Sequence, residues 1–243
     1  MIHNFFEISY VVPPETPTLV RDLARGHLAL DDYCAANPNH AYAVQDIYLD
    51  DWNFGLYRTM RPADRCKNPC VLRVRSVSTD SASPVYFEIR REMNHQSVIL
   101  RQSVAVKADF ASSLLAGAPP VQTCLLEPSP RALQSVQRFC QLVDQNRAKP
   151  RVAVSYQREA WTCNDNAVRL TFDREIWAAG MKGHDIDIAS KSLLSCYSGR
   201  VVLALKFSQR FPEWIRKFVG TLKEMRCESC KYVEAVEHLG MVN

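Results

Sequence analysis

Residues 70–107 contain CVLRVRSVS (70–78), VYFEIRRE (85–92) and SVILRQSVAVK (97–107), three alternations of apolar and polar residues separated by short turn-like segments. Successive side chains of a β-strand point to opposite faces, so these alternations predict three consecutive antiparallel strands. Arg73 and Arg75 fall on one face of the first strand, and Leu72 and Val74 fall on the other. The stretch therefore predicts a sheet with one apolar face and one face that carries arginine.

Five further strands are predicted outside this stretch: FFEISYVV (5–12), AVQDIYLDD (43–51), RVAVSYQREAWT (151–162), AVRLTFDREI (167–176) and RVVLALKF (200–207). Helices are predicted at 130–146 and 212–224, where apolar residues recur at helical spacing after a proline, and shorter ones at 17–25 and 109–116. This order indicates an α+β fold in which eight mostly antiparallel strands form a closed or nearly closed β-barrel with helices packed outside. We expect a single domain over residues 1–243.

The composition is that of an ordinary globular protein, with 243 residues, 47% hydrophobic and 23% charged, and a net charge of +4. So small an excess of positive charge does not by itself predict a nucleic-acid-binding protein. No run of eighteen apolar residues predicts a membrane span, and the first residues lack the pattern of a secretory signal. We therefore expect a cytoplasmic protein with reduced thiols.

Two cysteine pairs leave two interpretations open. Cys66 and Cys70 are separated by three residues, and Cys227 and Cys230 form a CxxC motif. Four thiolates could hold a structural zinc ion, although the pairs lie far apart in the sequence. The alternative is that these residues are buried or incidental thiols.

The polar faces of the predicted strands carry seven cations: Arg73, Arg75, Arg90, Arg101, Arg158, Arg169 and Lys206. One explanation is that these faces are the solvent faces of an antiparallel sandwich. The polar faces have an excess of arginine and an apparent scarcity of carboxylates. This composition favours a second explanation, in which the apolar faces pack against the helices and the cations line the barrel interior. Converging cations repel one another and require an anion, and the planar guanidinium group binds phosphate bidentately.

Seven segments resemble, in order, those of VTC domains, the polyphosphate polymerase domains of the triphosphate tunnel metalloenzyme (CYTH-like) superfamily: VLRVRSV, YFEIRRE, VILRQ, VSYQREAW, VRLTFDREI, LALKFSQRFPEW and SCKYVEAV. The resemblance implies an eight-stranded tunnel whose basic lining binds ATP and polyphosphate. It also implies transfer of the ATP γ-phosphoryl group to a growing polyphosphate chain, assisted by Mn²⁺ or Mg²⁺. Eukaryotic members of the family are tied to membrane complexes. Because no membrane span is predicted here, we expect that any such tie would need a separate membrane protein, whose identity is unknown.

Carried over by motif, the resemblance implies a catalytic group and a phosphate-binding group, and other carboxylates are left as candidate metal ligands. The catalytic group is Arg158, Arg169, Lys206 and Lys231. The phosphate-binding group is Arg73, Arg75, Arg90, Arg101, Tyr156 and Tyr232. The candidate metal ligands are Glu7 and Glu88, and Asp173 is interpreted as structural, with a metal role as the alternative.

The sequence departs from the family pattern at three positions. Ala204 replaces the glutamate of LELKF, which is the metal ligand that the resemblance implies, Ser9 replaces a lysine, and Ser103 replaces an arginine. Two hypotheses follow. The protein is an ATP-dependent polyphosphate polymerase in which other carboxylates hold the metal, or it is a non-catalytic module that binds polyphosphate or a nucleotide.

Nucleic-acid binding on an open sheet is a weaker third hypothesis. Such a surface requires aromatic residues interleaved with the cations, and the predicted polar faces supply mainly Tyr156. We therefore expect no nucleic-acid partner.

Overall fold

A computed structural model describes residues 2–61, 68–78, 82–93, 98–163, 165, 167–184, 186–188, 191–208, 211–227 and 230–242. Its strands are β1 (Ile2–Val12), β2 (Ala29–Leu30), β3 (Tyr42–Asp50), β4 (Cys70–Ser76), β5 (Val85–Met93), β6 (Val98–Val106), β7 (Lys149–Thr162), β8 (Val168–Gly180), β9 (Leu194–Ser195), β10 (Val201–Phe207) and β11 (Arg226–Cys227). Its helices are α1 (Thr16–Ala24), α2 (Asp32–Ala35), α3 (Gly55–Met60), α4 (Ala108–Leu115), α5 (Pro130–Gln145), α6 (Glu213–Thr221) and α7 (Lys231–His238).

Eight of the strands close into an antiparallel barrel. Going round it, the order is β1, β6, β5, β4, β3, β7, β8 and β10, and β10 pairs with β1 again. The short strands β2, β9 and β11 are appended to β7, β8 and β1. The predicted α+β fold with an eight-stranded barrel is confirmed.

The strand register determines which side chains share the inner face. Residues directly opposite each other in an antiparallel pair project to the same side of the sheet. Arg73 lies opposite Glu88, and Arg75 lies opposite Asp46. The polar faces that the sequence predicts therefore lie together, and they point into the barrel.

The apolar outer faces are covered by helices. The α5 helix begins at Pro130, with the Ser129 hydroxyl accepting a hydrogen bond from the Ala132 N–H. Its buried face includes Phe139, whose ring lies 4.7 Å from that of Phe87 on β5. On another side, α1 and α6 cover an apolar cluster that contains Leu170, Leu203 and Leu205.

The C-terminal helix α7 borders the barrel interior. Its buried residues Tyr232, Val233 and Val236 belong to the same cluster as Tyr48 and Val202, which lie on inward-facing register positions. The Tyr48 and Tyr232 rings stack with their centroids 4.9 Å apart. This packing brings Lys231, the first residue of α7, to the end of the bore.

The structure changes several predicted boundaries and adds elements. β8 continues to Gly180, beyond the predicted end at residue 176, and α6 begins at Glu213 with Pro212 as the preceding cap residue. The sequence analysis does not predict the helices α2, α3 and α7, which are four, six and eight residues long. Within the described part of the chain, no helix is both long and apolar enough to cross a membrane.

Candidate functional site

The eight cations that the sequence predicted for the site converge on the barrel interior from seven elements. Each borders at least one of two neighbouring cavities: Arg73 and Arg75 from β4, Arg90 from β5, Arg101 from β6, Arg158 from β7, Arg169 from β8, Lys206 from β10 and Lys231 from α7. The alternative of solvent faces on an open sandwich is therefore wrong. The barrel closes because β7 pairs with β8 and β10 pairs with β1, and closure turns the polar faces inward.

The bore is divided into two chambers. The narrow chamber has a volume of about 160 Å³ and is bordered by Ser9, Arg73, Arg90, Ala204 and Lys231, among others. The wide chamber has a volume of about 980 Å³ and is bordered by Phe5, Asp31, Tyr86, Arg101 and Arg169, among others. Three cations border both chambers: Arg75, Arg158 and Lys206. We call this layer the waist.

Asp46 on β3 is a buried carboxylate that the sequence analysis did not identify. Arg75 donates to it twice, from Nε to Oδ1 at 2.7 Å and from Nη2 to Oδ2 at 2.8 Å. The Tyr156 hydroxyl donates to Oδ2 at 2.9 Å and accepts from Arg75 at 3.0 Å. Burial would raise the pKa of Asp46, but Arg73 and Arg75 hold it well below its usual range. The alternation of Val44, Asp46 and Tyr48 against Ile47 and Leu49 was the available signal.

Asp173 holds two of the predicted catalytic cations. Arg158 donates to it bidentately, with N–O distances of 2.7 and 2.8 Å, and Lys231 Nζ lies 2.6 Å from Oδ2. Burial opposes ionisation of Asp173, whereas Arg158 and Lys231 lower its pKa well below the usual range. In the structure Asp173 is thus an internal counter-ion that fixes the side chains of β7 and α7.

Glu88 lies between Arg73 and Arg101. Arg73 Nη2 lies 2.5 Å from Glu88 Oε2, and Arg101 Nη1 lies 3.8 Å from Oε1. Burial raises the pKa of Glu88, but the neighbouring guanidinium groups of Arg73, Arg75 and Arg101 lower it to about 2. Glu88 is thus ionised at neutral pH and already engaged by cations.

Glu7 on β1 has longer contacts with its cations than Asp46, Asp173 and Glu88 have with theirs. Arg90 Nη2 lies 3.2 Å and Lys206 Nζ lies 3.6 Å from Glu7 Oε2. That oxygen is buried and has no hydrogen-bond partner among the described residues. Burial lowers the pKa of Lys206 well below its usual value, and Arg158, Arg90 and Arg101 lower it further, while Glu7 counteracts them.

Arg169 lies at the rim of the wide chamber. Its Nη2 donates to Asp31 Oδ2 at 2.5 Å and to the Tyr42 hydroxyl at 3.3 Å. Asp31 also caps α2, since its Oδ1 accepts a hydrogen bond from the Cys34 N–H. Arg169 is therefore anchored to the segment between β2 and α2.

The two predicted phosphate-binding tyrosines differ in position. Tyr156 is buried between the cations, with Lys231 Nζ 4.8 Å and Arg158 Cζ 5.2 Å from its ring centroid. The Tyr232 hydroxyl instead donates to Asp50 Oδ2 at 2.7 Å. Neither tyrosine is among the residues that border the two chambers, so a phosphate contact by either would require its present hydrogen bonding to change.

The expectation of a bore poor in carboxylates is wrong. The described residues that border the narrow chamber include seven cations (Arg73, Arg75, Arg90, Arg158, Lys206, Arg226 and Lys231) and four carboxylates (Glu7, Asp46, Glu92 and Asp173). The sequence analysis overlooked Asp46, and it did not place Glu7, Glu88 and Asp173 against the arginines. The narrow chamber keeps an excess of positive charge, but much of that charge is internally balanced.

The bore does not fit the Mn²⁺ or Mg²⁺ ion that the sequence resemblance implies. Such ions take several oxygen ligands, usually including carboxylates. Among the described residues, no cluster of three or more His, Cys, Asp or Glu side chains could hold a metal ion. Glu7 and Glu88, the predicted ligands, each lie beside cations, and Ala204 has no side-chain donor. We therefore derive no chemical step through a metal.

The proposed zinc site falls partly outside the described residues. Cys66 and the side chain of Cys227 belong to this undescribed part. Cys230 borders the narrow chamber, with Sγ 3.9 Å from Met60 Sδ. The two interpretations of the cysteine pairs stay predictions.

Comparisons with solved structures give distant likenesses. The PH1819 protein from Pyrococcus horikoshii OT3 is 13% identical with a TM-score of 0.46, and the likeness covers 97% of this chain and 99% of that chain. A putative adenylate cyclase (bh2851) from Bacillus halodurans is 11% identical with a TM-score of 0.47, covering 100% of this chain and 92% of that chain. No curated protein matches the chain at a significant level.

A known protein family also matches the chain over almost its whole length. The VTC domain matches residues 4–239, a span that runs from β1 through all the other barrel strands to the end of α7. The match includes every strand that supplies a cation to the bore, together with Lys231 on α7. The chain belongs to the VTC domain family.

Proposed function

We propose that this protein binds condensed phosphate, either a triphosphate group or a longer polyphosphate chain, inside its bore. Membership of the VTC family suggests a polyphosphate-related function. The observation that carries the proposal is the narrow chamber, a cavity of about 160 Å³ that is bordered by seven cations and four carboxylates. Phosphate oxygens accept charge-assisted hydrogen bonds, and guanidinium groups provide them in a bidentate geometry.

The two-chambered bore suits a linear ligand. A chain that extends from the wide chamber into the narrow one must pass Arg75, Arg158 and Lys206, because these residues border both chambers. A linear polyanion can contact this waist and the cations on either side of it with successive phosphate groups. A single compact anion would use only part of this length.

Holding the ligand is better supported than elongating it. Phosphoryl transfer depends mainly on positioning and on neutralising the charge of the transferred group. The predicted catalytic residues Arg158, Arg169, Lys206 and Lys231 border the bore and could contribute to both. These same residues support transfer of the ATP γ-phosphoryl group as a second candidate function. Ala204 and the cation-bound carboxylates favour binding without turnover.

A gel-retardation experiment with long-chain polyphosphate tests the proposal. We expect wild-type protein to retard the polymer and Lys206→Gln, which neutralises a waist residue, to retard it several-fold less. Lys217→Gln is the matched control. Lys217 is exposed on α6, so this substitution removes one positive charge from the outer surface and leaves the bore unchanged. Equal retardation by all three proteins would show that binding is not inside the bore.

The polymerase candidate is tested by incubating the protein with ATP and Mn²⁺ and separating the products on a gel. We expect no long-chain product from wild type. Product formed by Ala204→Glu but not by wild type would indicate a disabled polymerase, whereas product from wild type would establish transfer as the function.

A further inference from the structure

The eight bore cations that the sequence predicted fall into two groups by how closely a carboxylate balances them. Five of them have a carboxylate oxygen within 2.5–2.7 Å: Arg73, Arg75, Arg158, Arg169 and Lys231. The three others have their nearest carboxylate at 3.2 Å for Arg90, 3.6 Å for Lys206 and 3.8 Å for Arg101. The first group is held by the protein itself, so the second group is the one with charge left for a ligand.

The three loosely balanced cations surround the same part of β1. Arg90 and Lys206 both approach Glu7, and Arg90 lies opposite Arg101 in the pairing of β5 with β6. Lys206 Nζ and Arg101 Cζ lie 5.3 and 5.9 Å from the Phe5 ring centroid. The buried Nε of Arg101 has no hydrogen-bond partner within the described structure. These groups form one under-neutralised cluster, which we call the β1 cluster (Glu7, Arg90, Arg101 and Lys206).

A divalent cation would be repelled from this cluster. Coordination by Glu7 would place the ion beside Lys206 and Arg90, which lie within 3.6 Å of the same oxygen. The neighbouring register row, Ser9 opposite Ala204 opposite Thr171, supplies no carboxylate.

We propose that a condensed phosphate binds the β1 cluster directly, without a divalent metal ion, and takes the place of the Glu7 carboxylate beside Arg90 and Lys206. This inference rests on the proposed function and specifies the ligand as a metal-free polyanion. Glu7 is then the internal anion of the ligand-free protein, and it competes with the ligand. An essential metal ligand at Glu7 would have the opposite effect on binding.

Calorimetric titration of wild-type protein with inorganic tripolyphosphate provides the first test. We expect binding in the presence of EDTA, and several-fold weaker binding in excess Mg²⁺ or Mn²⁺, because the metal neutralises part of the ligand's charge. Binding that requires Mg²⁺ or Mn²⁺ would overturn the inference and leave the proposed function intact. An absence of binding under both conditions would remove the proposed function as well.

The variant Glu7→Gln provides the second test. Removing one negative charge beside the ligand should tighten tripolyphosphate binding in EDTA by about tenfold, the order expected at an intermediate dielectric constant. Glu213→Gln is the matched control, because Glu213 is exposed at the start of α6, and it should leave the affinity unchanged. Unchanged or weaker binding by folded Glu7→Gln would contradict the competition between Glu7 and the ligand.

A third measurement decides the matter if Glu7→Gln does not fold. Ala204→Glu adds a carboxylate to the wall of the narrow chamber next to Ser9. We expect it to weaken tripolyphosphate binding in EDTA by about tenfold, by the same electrostatic reasoning. Binding by Ala204→Glu as tight as that of wild type in EDTA would count against direct contact at this wall.

Discussion

Replacing Asp46 with asparagine should destabilise the protein severely. Asp46 is fully buried and receives two hydrogen bonds from Arg75 and one from the Tyr156 hydroxyl, all between 2.7 and 2.9 Å. Asparagine keeps the shape but removes the charge, so the Arg75 guanidinium is left buried beside a neutral amide. Removing one partner of a buried ion pair costs about 3–5 kcal/mol of the free energy of unfolding.

Urea denaturation followed by tryptophan fluorescence measures this loss. Asp22→Asn is the matched control, because Asp22 is an exposed residue of α1 that pairs with Arg25 at 3.3 Å, and such pairs contribute about 0–1 kcal/mol. A loss below about 1 kcal/mol for Asp46→Asn would mean that Asp46 does not neutralise the β4 arginines as described.

Three further predictions concern other buried groups. The pKa of Glu88 is lowered from 4.5 to about 2, so its ionisation stabilises the fold above pH 4.5, and this contribution is lost as the pH falls towards 2. In Glu88→Gln the free energy of unfolding, measured by urea denaturation, should therefore depend less on pH between 4.5 and 2. Burial raises the pKa of the Cys34 thiol to about 12, so Cys34 should resist alkylation in the native protein, and rapid labelling detected by mass spectrometry would contradict its burial. Tyr156→Phe loses the hydroxyl between Arg75 and Asp46 and should cost about 1–3 kcal/mol in thermal unfolding, whereas an unchanged Tm would exclude that contact.

The fold was predictable because the strand pattern is local. The alternation of Arg73 and Arg75 with Leu72 and Val74 fixes the faces of β4, and equivalent patterns exist in the other barrel strands. The helices whose apolar residues recur over several turns, such as α5, were also predicted. The short α3 and α7 depend on contacts with residues far away in the sequence, including the stacking of Tyr232 on Tyr48, and local periodicity does not reveal them.

The cations of the site were predictable from the sequence, but the carboxylates that neutralise them were not. The alternation of side chains along each strand places Arg158 and Asp173 on inward faces. Only the pairing of β7 with β8 shows that the two residues lie opposite each other and form a bidentate ion pair. Asp46 illustrates the same limit, since its charge depends on arginines about thirty positions away. Distances across strands determine which cations remain for a ligand, and a single sequence does not contain them.

The most direct test of the central claim is a crystal structure of the protein grown with tripolyphosphate. Phosphate density should lie inside the barrel, with oxygens at hydrogen-bonding distance from Arg90, Arg101 and Lys206. Density confined to the outer surface of the barrel, with the bore free of ligand at saturating concentration, would contradict the account.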